Sequence, residues 1–221
     1  MGIKKNDFVE IDYTGISKDE NAVFDTTLKE VAVKNELYHE EHAYKPVILC
    51  VGQNQILKAV DESLIGKSVG ESFTLDLKSE DAFGKKNSEL IQFIPISNFR
   101  QSQINPVPGL HVNIDGIFGI VRTVSGGRTL VDFNHPLSGK DIKYEISIKR
   151  IVGDKQEKLK SLLSNVIGDE AEILMKDSEA SVNVPKGIEL DDENQKEIQE
   201  KVKELIPEIT TLKFNQSTGK K

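Results

Sequence analysis

With 221 residues, 37% hydrophobic and 29% charged, the chain has ordinary globular composition and is long enough for two or three small domains. Its net charge of −7 argues against a nucleic-acid partner, and no apolar run is long enough to cross a bilayer or act as a leader, so a cytoplasmic setting without membrane partners is expected. The single cysteine, Cys50, cannot form an intramolecular disulfide and falls in a strand-like run, where a buried, inert thiol is expected.

From the N-terminus, Val9, Ile11 and Tyr13 alternate as one face of a half-buried strand, which Thr14-Gly15 ends. Ala22 to Asp25 reads as a second strand, followed by a polar, charged stretch to Lys45 and a third strand from Pro46 to Val51. Ile56, Val60 and Leu64 recur at the spacing of one face of a short helix, with Gly66 placed to end it. Phe73, Leu75 and Leu77 alternate again as a strand. These elements suit an α+β domain in which an antiparallel sheet wraps on one helix.

Between Lys85 and Phe133 the texture changes to a small β-rich unit punctuated by prolines. The runs Ile117 to Val124 and Arg128 to Phe133 flank Ser125-Gly126-Gly127, a hairpin signal. Strand sequence resumes at Ile142 to Ile148, so the chain leaves the first domain and re-enters it.

After Asp154 a helical stripe (Leu159, Leu162, Leu163, Val166) precedes two strands marked by Ile173 and by Val182 with Val184. Asp192 with Gln195 is positioned to cap a second helix carrying Ile198, Val202, Leu205 and Ile206, a face better read as internal core than as a dimer seam. Leu212 and Phe214 mark a closing strand, and the tail from Gln216 is expected to fray. The order α-β-β-α-β suffices for a third domain, and its acidic balance argues against contact with ribosomal RNA.

Several motifs occur in a fixed order: Val51-Gly52-Gln53, Gly66-Lys67-Ser68-Val69-Gly70-Glu71, Asp81-Ala82-Phe83-Gly84, and Asn134-His135-Pro136-Leu137-Ser138-Gly139-Lys140 running into Tyr144. Together they resemble the FKBP family of peptidyl-prolyl isomerases. The gap of about fifty residues between the last two is similar to SlyD-type members, in which a domain is inserted into a flap of the isomerase. The layout beyond Asp154 resembles long archaeal FKBPs with an extra C-terminal domain. The boundaries implied are 1–86 with 134–152 for the isomerase, 87–133 for the insert and 154–221 for the last domain.

The resemblance implies a peptidyl-prolyl cis-trans isomerase with folding-chaperone activity, acting on proline-containing unfolded or nascent polypeptides and needing no metal or cofactor. Its pocket positions fall on Tyr13, Phe24, Asp25, Val47, Ile56, Leu57, Val60, Phe83 and Tyr144, with the Leu57 amide as the expected donor to a bound carbonyl. Val60 stands where a tryptophan is usual, Phe83 where a tyrosine is common, and Val47 where an aromatic wall is expected, which implies a roomier pocket. An aspartate in an apolar strand is costly to bury unpaired, so Asp25 needs a partner, and Tyr13 is a candidate. In the insert, exposed apolar residues between Phe93 and Phe99 (Phe93, Ile94, Ile96, Phe99) are expected to form a groove for unfolded chains, while about half of its apolar residues make its own core. His39-Glu40-Glu41-His42 lacks the spacing and third ligand of a helical zinc motif, and His135 reads as structural. The alternative is a non-catalytic holdase or adaptor on the same scaffold.

Overall fold

A computed structural model describes residues 2–168 and 170–216; the tail expected to fray lies almost wholly outside them. The chain runs β1 (Phe8–Ser17), β2 (Ala22–Thr26), α1 (Lys29–Lys34), β3 (Val47–Cys50), α2 (Lys58–Ser63) and β4 (Ser72–Leu77). It continues through β5 (Ile91–Pro95), α3 (Ile96–Gln101), β6 (His111–Ile114), β7 (Ile117–Ser125) and β8 (Arg128–Asp132). The last elements are β9 (Ile142–Ile151), α4 (Lys155–Ile167), β10 (Glu172–Lys176), β11 (Glu179–Val184), α5 (Asp192–Leu205) and β12 (Thr211–Gln216). Two compact units result, one from residues 1–76 with 143–221, the other from residues 77–142.

In the first unit, a five-stranded sheet has the order β2-β1-β9-β4, with β3 also paired to β1. β1 is long enough to hold both neighbours: Phe8 to Ile11 pair with β3, and Thr14 to Ser17 pair with β2, both antiparallel. The strand therefore does not end at Thr14-Gly15. It runs on through a bulge between Gly15 and Ile16, because a glycine inside a strand re-aims the chain without stopping it. α1 arises within the stretch that reads as merely polar; its six residues carry no apolar i, i+4 series of the kind that marks α2.

The C-terminal segment forms a three-stranded sheet β10-β11-β12, antiparallel between the first two and parallel between β11 and β12, with α5 as the crossover. One core joins it to the five-stranded sheet: Phe8, Cys50 and Val152 pack with Leu159, Leu163, Ile167, Val182 and Ile206. Asp154 caps α4 by accepting the Glu157 N–H. α5 is capped by Asp191, which accepts the Asn194 N–H at 2.7 Å, and Asp192 is its first helical residue. The expected cap was thus one position late; of the adjacent aspartates, Asp191 has the extended backbone that lets a side chain turn back.

The second unit holds an antiparallel four-stranded sheet, β5-β8-β7-β6, over a core of Phe99, Val112, Val121 and Val131. The β7–β8 turn at Gly126-Gly127 and the β6–β7 turn at Asp115-Gly116 have positive φ at both central residues, the geometry that matches strand twist. At the neck, the Asn134 side chain holds both backbone groups of Asn87, accepting its N–H at 2.8 Å and donating to its carbonyl at 3.0 Å. Beneath them Asp132, 3% exposed, accepts from Asn134, Arg122 and Lys86. Burial pushes the Asp132 carboxyl up, but these bonds outweigh it and hold it well below the usual carboxylate range. Among the described residues no helix is long and apolar enough to cross a membrane.

Candidate active site

Antiparallel pairing of β1 with β2 brings Tyr13, Phe24 and Asp25 to one end of the first unit's sheet. The Tyr13 hydroxyl donates to Asp25 Oδ2 at 2.8 Å. Asp25 is exposed rather than buried, because β2 is a five-residue edge strand, so its carboxylate keeps water as well as a partner. Tyr144, on β9, lies at the centre of an aromatic cluster, with its ring 5.8 Å from both Tyr13 and Phe24 and edge-on to the latter. Burial and the Asp25 charge push the Tyr13 and Tyr144 phenols above their ordinary range, so both stay protonated hydrogen-bond donors.

Phe24 reaches this cluster because Gly15 stands across from it: a Cβ there would lie 2.5 Å from the ring. Gly15 is a site-shaping residue that sequence reasoning misses, since a glycine near a strand end reads as punctuation. The end of β2 is pinned by further hydroxyls. Thr27 Oγ1 donates to the buried Asp12, and the Thr14 and Thr26 hydroxyls bond each other at 2.9 Å.

On the helix side, Val60 is fully buried, while Ile56 and Leu57 precede α2 instead of lying on it. They occupy its entry turn, half-buried, and the Leu57 N–H donates to no group among the described residues. That turn is fixed by Asp61, 1% exposed, whose carboxylate accepts the Gly52 and Asn54 N–H groups at 2.8 Å each. Val60 is wholly covered and Tyr144 is 3% exposed, so neither presents open surface. A cavity of about 660 Å³ takes in Tyr13, Val47 and Ile56, together with residues of α4.

Phe83 belongs to the second unit. Its ring stacks flat on His135 at 4.7 Å, and Ser138 Oγ donates to its carbonyl at 3.2 Å, which gives His135 and Ser138 a structural task. In the same unit Phe93 is 63% exposed under the Arg128 guanidinium, and Ile94 and Ile96 are half-buried. Phe99 departs from the expected groove: the inward face of α3 buries it in the insert's own core, 4% exposed. The most exposed large hydrophobic side chain of this unit is Phe118 at 75%, next to Ile117 at the β6–β7 turn. Alternation does not single these two out, because their strand reads as an ordinary hairpin arm. Among the described residues no cluster of His, Cys, Asp and Glu is arranged to hold a metal ion.

Comparison with known families agrees with this construction. The model of the FKBP-type peptidyl-prolyl cis-trans isomerases matches residues 2–98, and that of the FKBP26 IF domain matches residues 92–137. A short-type peptidyl-prolyl cis-trans isomerase of Methanocaldococcus jannaschii is 34% identical over 149 residues, covering 67% of this chain and 94% of the relative. An FKBP-type 16 kDa isomerase of Escherichia coli is 30% identical over 112 residues, 48% of this chain and 74% of its own length. SlyD of Pasteurella multocida is 27% identical over 116 residues, 51% of this chain and 58% of its own. The chain belongs to the FKBP-type peptidyl-prolyl cis-trans isomerases. Within that family it is one of those that carry an IF domain, of the FKBP26 kind.

Proposed function

We propose that residues 1–86 with 134–152 catalyse rotation about X-Pro bonds by desolvation, and that the insert, 87–133, holds unfolded or nascent polypeptide for them. The barrier, about 18–20 kcal/mol, comes from amide resonance. A planar amide is more dipolar than the twisted one, so an apolar surround that excludes water raises the ground state relative to the transition state. The observation that carries this reading is the aromatic cluster of Tyr13, Phe24 and Tyr144 with its one polar edge, the Tyr13–Asp25 bond; the Leu57 N–H, which has no partner among the described residues, supports it. In this reading the Leu57 amide takes the substrate carbonyl, Tyr13, Phe24, Val47 and Ile56 line the proline's seat, and Val60 and Tyr144 support it. Phe83 joins them on the strength of its Asp-Ala-Phe-Gly motif. No proton transfer or covalent step is required.

Exposed apolar area supports the capture role: Phe93, Ile117 and Phe118 present large side chains to solvent, with Ile94 and Ile96 partly so. Holding a client there raises its effective concentration at the isomerase site. The test is the cis-to-trans rate of a short X-Pro peptide with wild type and an Asp25→Ala/Phe83→Ala double variant. Acceleration that collapses in a folded variant supports the site. A folded wild type that accelerates nothing leaves the non-catalytic holdase.

A further inference from the structure

α4 does more than close a core. Gln55 bridges it to the isomerase sheet: Oε1 accepts the Cys50 N–H at 2.6 Å, and Nε2 donates to the Ser161 carbonyl at 2.9 Å. Arg150, on β9, makes a second clamp, holding Glu10 of β1 at 2.8 Å and both carboxylate oxygens of Glu157 on α4 at 2.9 Å. Between them the clamps hold Glu157, Lys160, Ser161 and Ser164 in the wall of the same 660 Å³ cavity that takes in Tyr13, Val47 and Ile56.

Two features say what this cavity accepts. The first is a strand edge. β3 pairs with β1 and with no other described strand, and the Cys50 N–H, turned away from β1, is taken by Gln55. Alternation along a strand turns the N–H and C=O of Ile48 to that same edge, and Ile48 lines the cavity. An extended polypeptide laid there finds backbone partners. The second feature is charge. The two carboxylates in the wall, Glu10 and Glu157, are both spent on Arg150, whereas Lys45 and Lys160 have no ion-pair partner among the described residues.

We infer that this cavity is a substrate subsite shared between the isomerase sheet and the C-terminal domain, that it binds the extended chain flanking the proline, and that Lys45 and Lys160 make it favour acidic side chains there. The inference rests on the isomerase reading of Tyr13, Val47 and Ile56 and extends it to specificity. Water alone is a poorer occupant, since a chain seated on those three residues enters the cavity they share with α4.

The experiment compares two X-Pro peptides that differ in carrying glutamate or lysine beside the proline dipeptide, using the full chain. At low salt the glutamate peptide is expected to have a kcat/KM about fivefold higher, the scale of exposed ion pairs gained in one peptide and repelled in the other, and the ratio should shrink toward one at high salt. A Lys45→Glu/Lys160→Glu variant should bring the ratio below one, a change that general misfolding, which slows both peptides, does not produce. Lys196→Glu, the same charge change on α5, should leave the ratio at the wild-type value. Equal kcat/KM for the two peptides, or an unaltered preference in the double variant, overturns the inference. Peptide binding by fluorescence anisotropy separates the two readings: if neither peptide is isomerised, catalysis fails, while charge-dependent or equal Kd values still decide for or against the subsite.

Discussion

Replacing Gly15 by alanine tests the aromatic site from its least conspicuous side. The glycine backbone is not in the left-handed region, so any penalty comes from the added carbon alone. That Cβ would lie 2.5, 2.7 and 3.1 Å from three ring carbons of Phe24. Carbon atoms rest at about 3.5–4.0 Å, so the ring must retreat by about 1 Å. The retreat disturbs a ring that meets Tyr144 edge-on, and Tyr144, 3% exposed, has little room to yield. Overpacking of this kind costs about 1–3 kcal/mol, and a shift of about 1 Å in a positioning group lowers kcat/KM by roughly ten- to a hundredfold. Urea unfolding gives the first quantity and X-Pro isomerisation the second. The same substitution in a Phe24→Ala background should cost almost nothing in stability, because the clashing ring is gone. Equal stability costs in both backgrounds, or a wild-type rate in Gly15→Ala, would refute the reasoning.

Tyr13→Phe removes the donor to Asp25 while keeping the ring, and should slow isomerisation about three- to tenfold with unchanged far-ultraviolet circular dichroism; an unaltered rate would show that the polar edge is dispensable. Asp132→Ala leaves Arg122, Lys86 and Asn134 without their buried acceptor and should destabilise the insert by about 2–4 kcal/mol, read from hydrogen exchange of β8 amides. Since the folded Asp132 carboxyl titrates below its ordinary value of 3.8, its contribution is full above that value and is lost as pH falls through the folded one; Asp132→Ala should therefore flatten the insert's acid sensitivity below about pH 4. Cys50 has no exposed surface, and burial, the leading cause, with the Asp61 charge pushes its thiol up to about 12. It should ignore a disulfide reagent at pH 8 until the protein unfolds; prompt labelling of native protein would contradict the packing.

Much of this architecture is legible in the sequence because its signals are local. Alternation at Val9 to Tyr13 and at Phe73 to Leu77, the Ser-Gly-Gly turn and the α-β-β-α-β order all correspond to elements of the structure. What escapes either lacks such a signal or is too distant. α1 and α3 are six-residue helices like α2, but no apolar i, i+4, i+8 series of the kind that marks α2 is centred on them. The bulge at Gly15 hides half of β1, since glycine signals an end as readily as a bend. In the insert, Phe93, Phe99 and Phe118 are chemically identical, yet their exposures are 63%, 4% and 75%. That difference is set by which side of α3 and of the sheet each occupies, and pattern alone does not resolve it.

The site shows the same division more sharply. Tyr13, Phe24 and Asp25 are reached by motif, and Tyr13 is the partner sought for Asp25, although the exposed carboxylate does not depend on one. The groups that hold the site in place do not announce themselves. Asp61 secures the turn ahead of α2, Gln55 reaches the Ser161 carbonyl across 106 residues of sequence, and Arg150 reaches Glu10 across 140. Each reads in isolation as an unremarkable polar residue. Gln55 and Arg150 also settle what the C-terminal segment is to the isomerase. Phe8, Cys50 and Val152 share its core, so the segment is built onto β1 and β3, and the clamps then hold α4 in the wall of the cavity that Ile48 of β3 also lines. A domain appended by a linker alone would be free to move and could not form a fixed wall. One docked through a common core and two polar clamps keeps Lys160 in the cavity with Tyr13, which is the condition a specificity subsite requires.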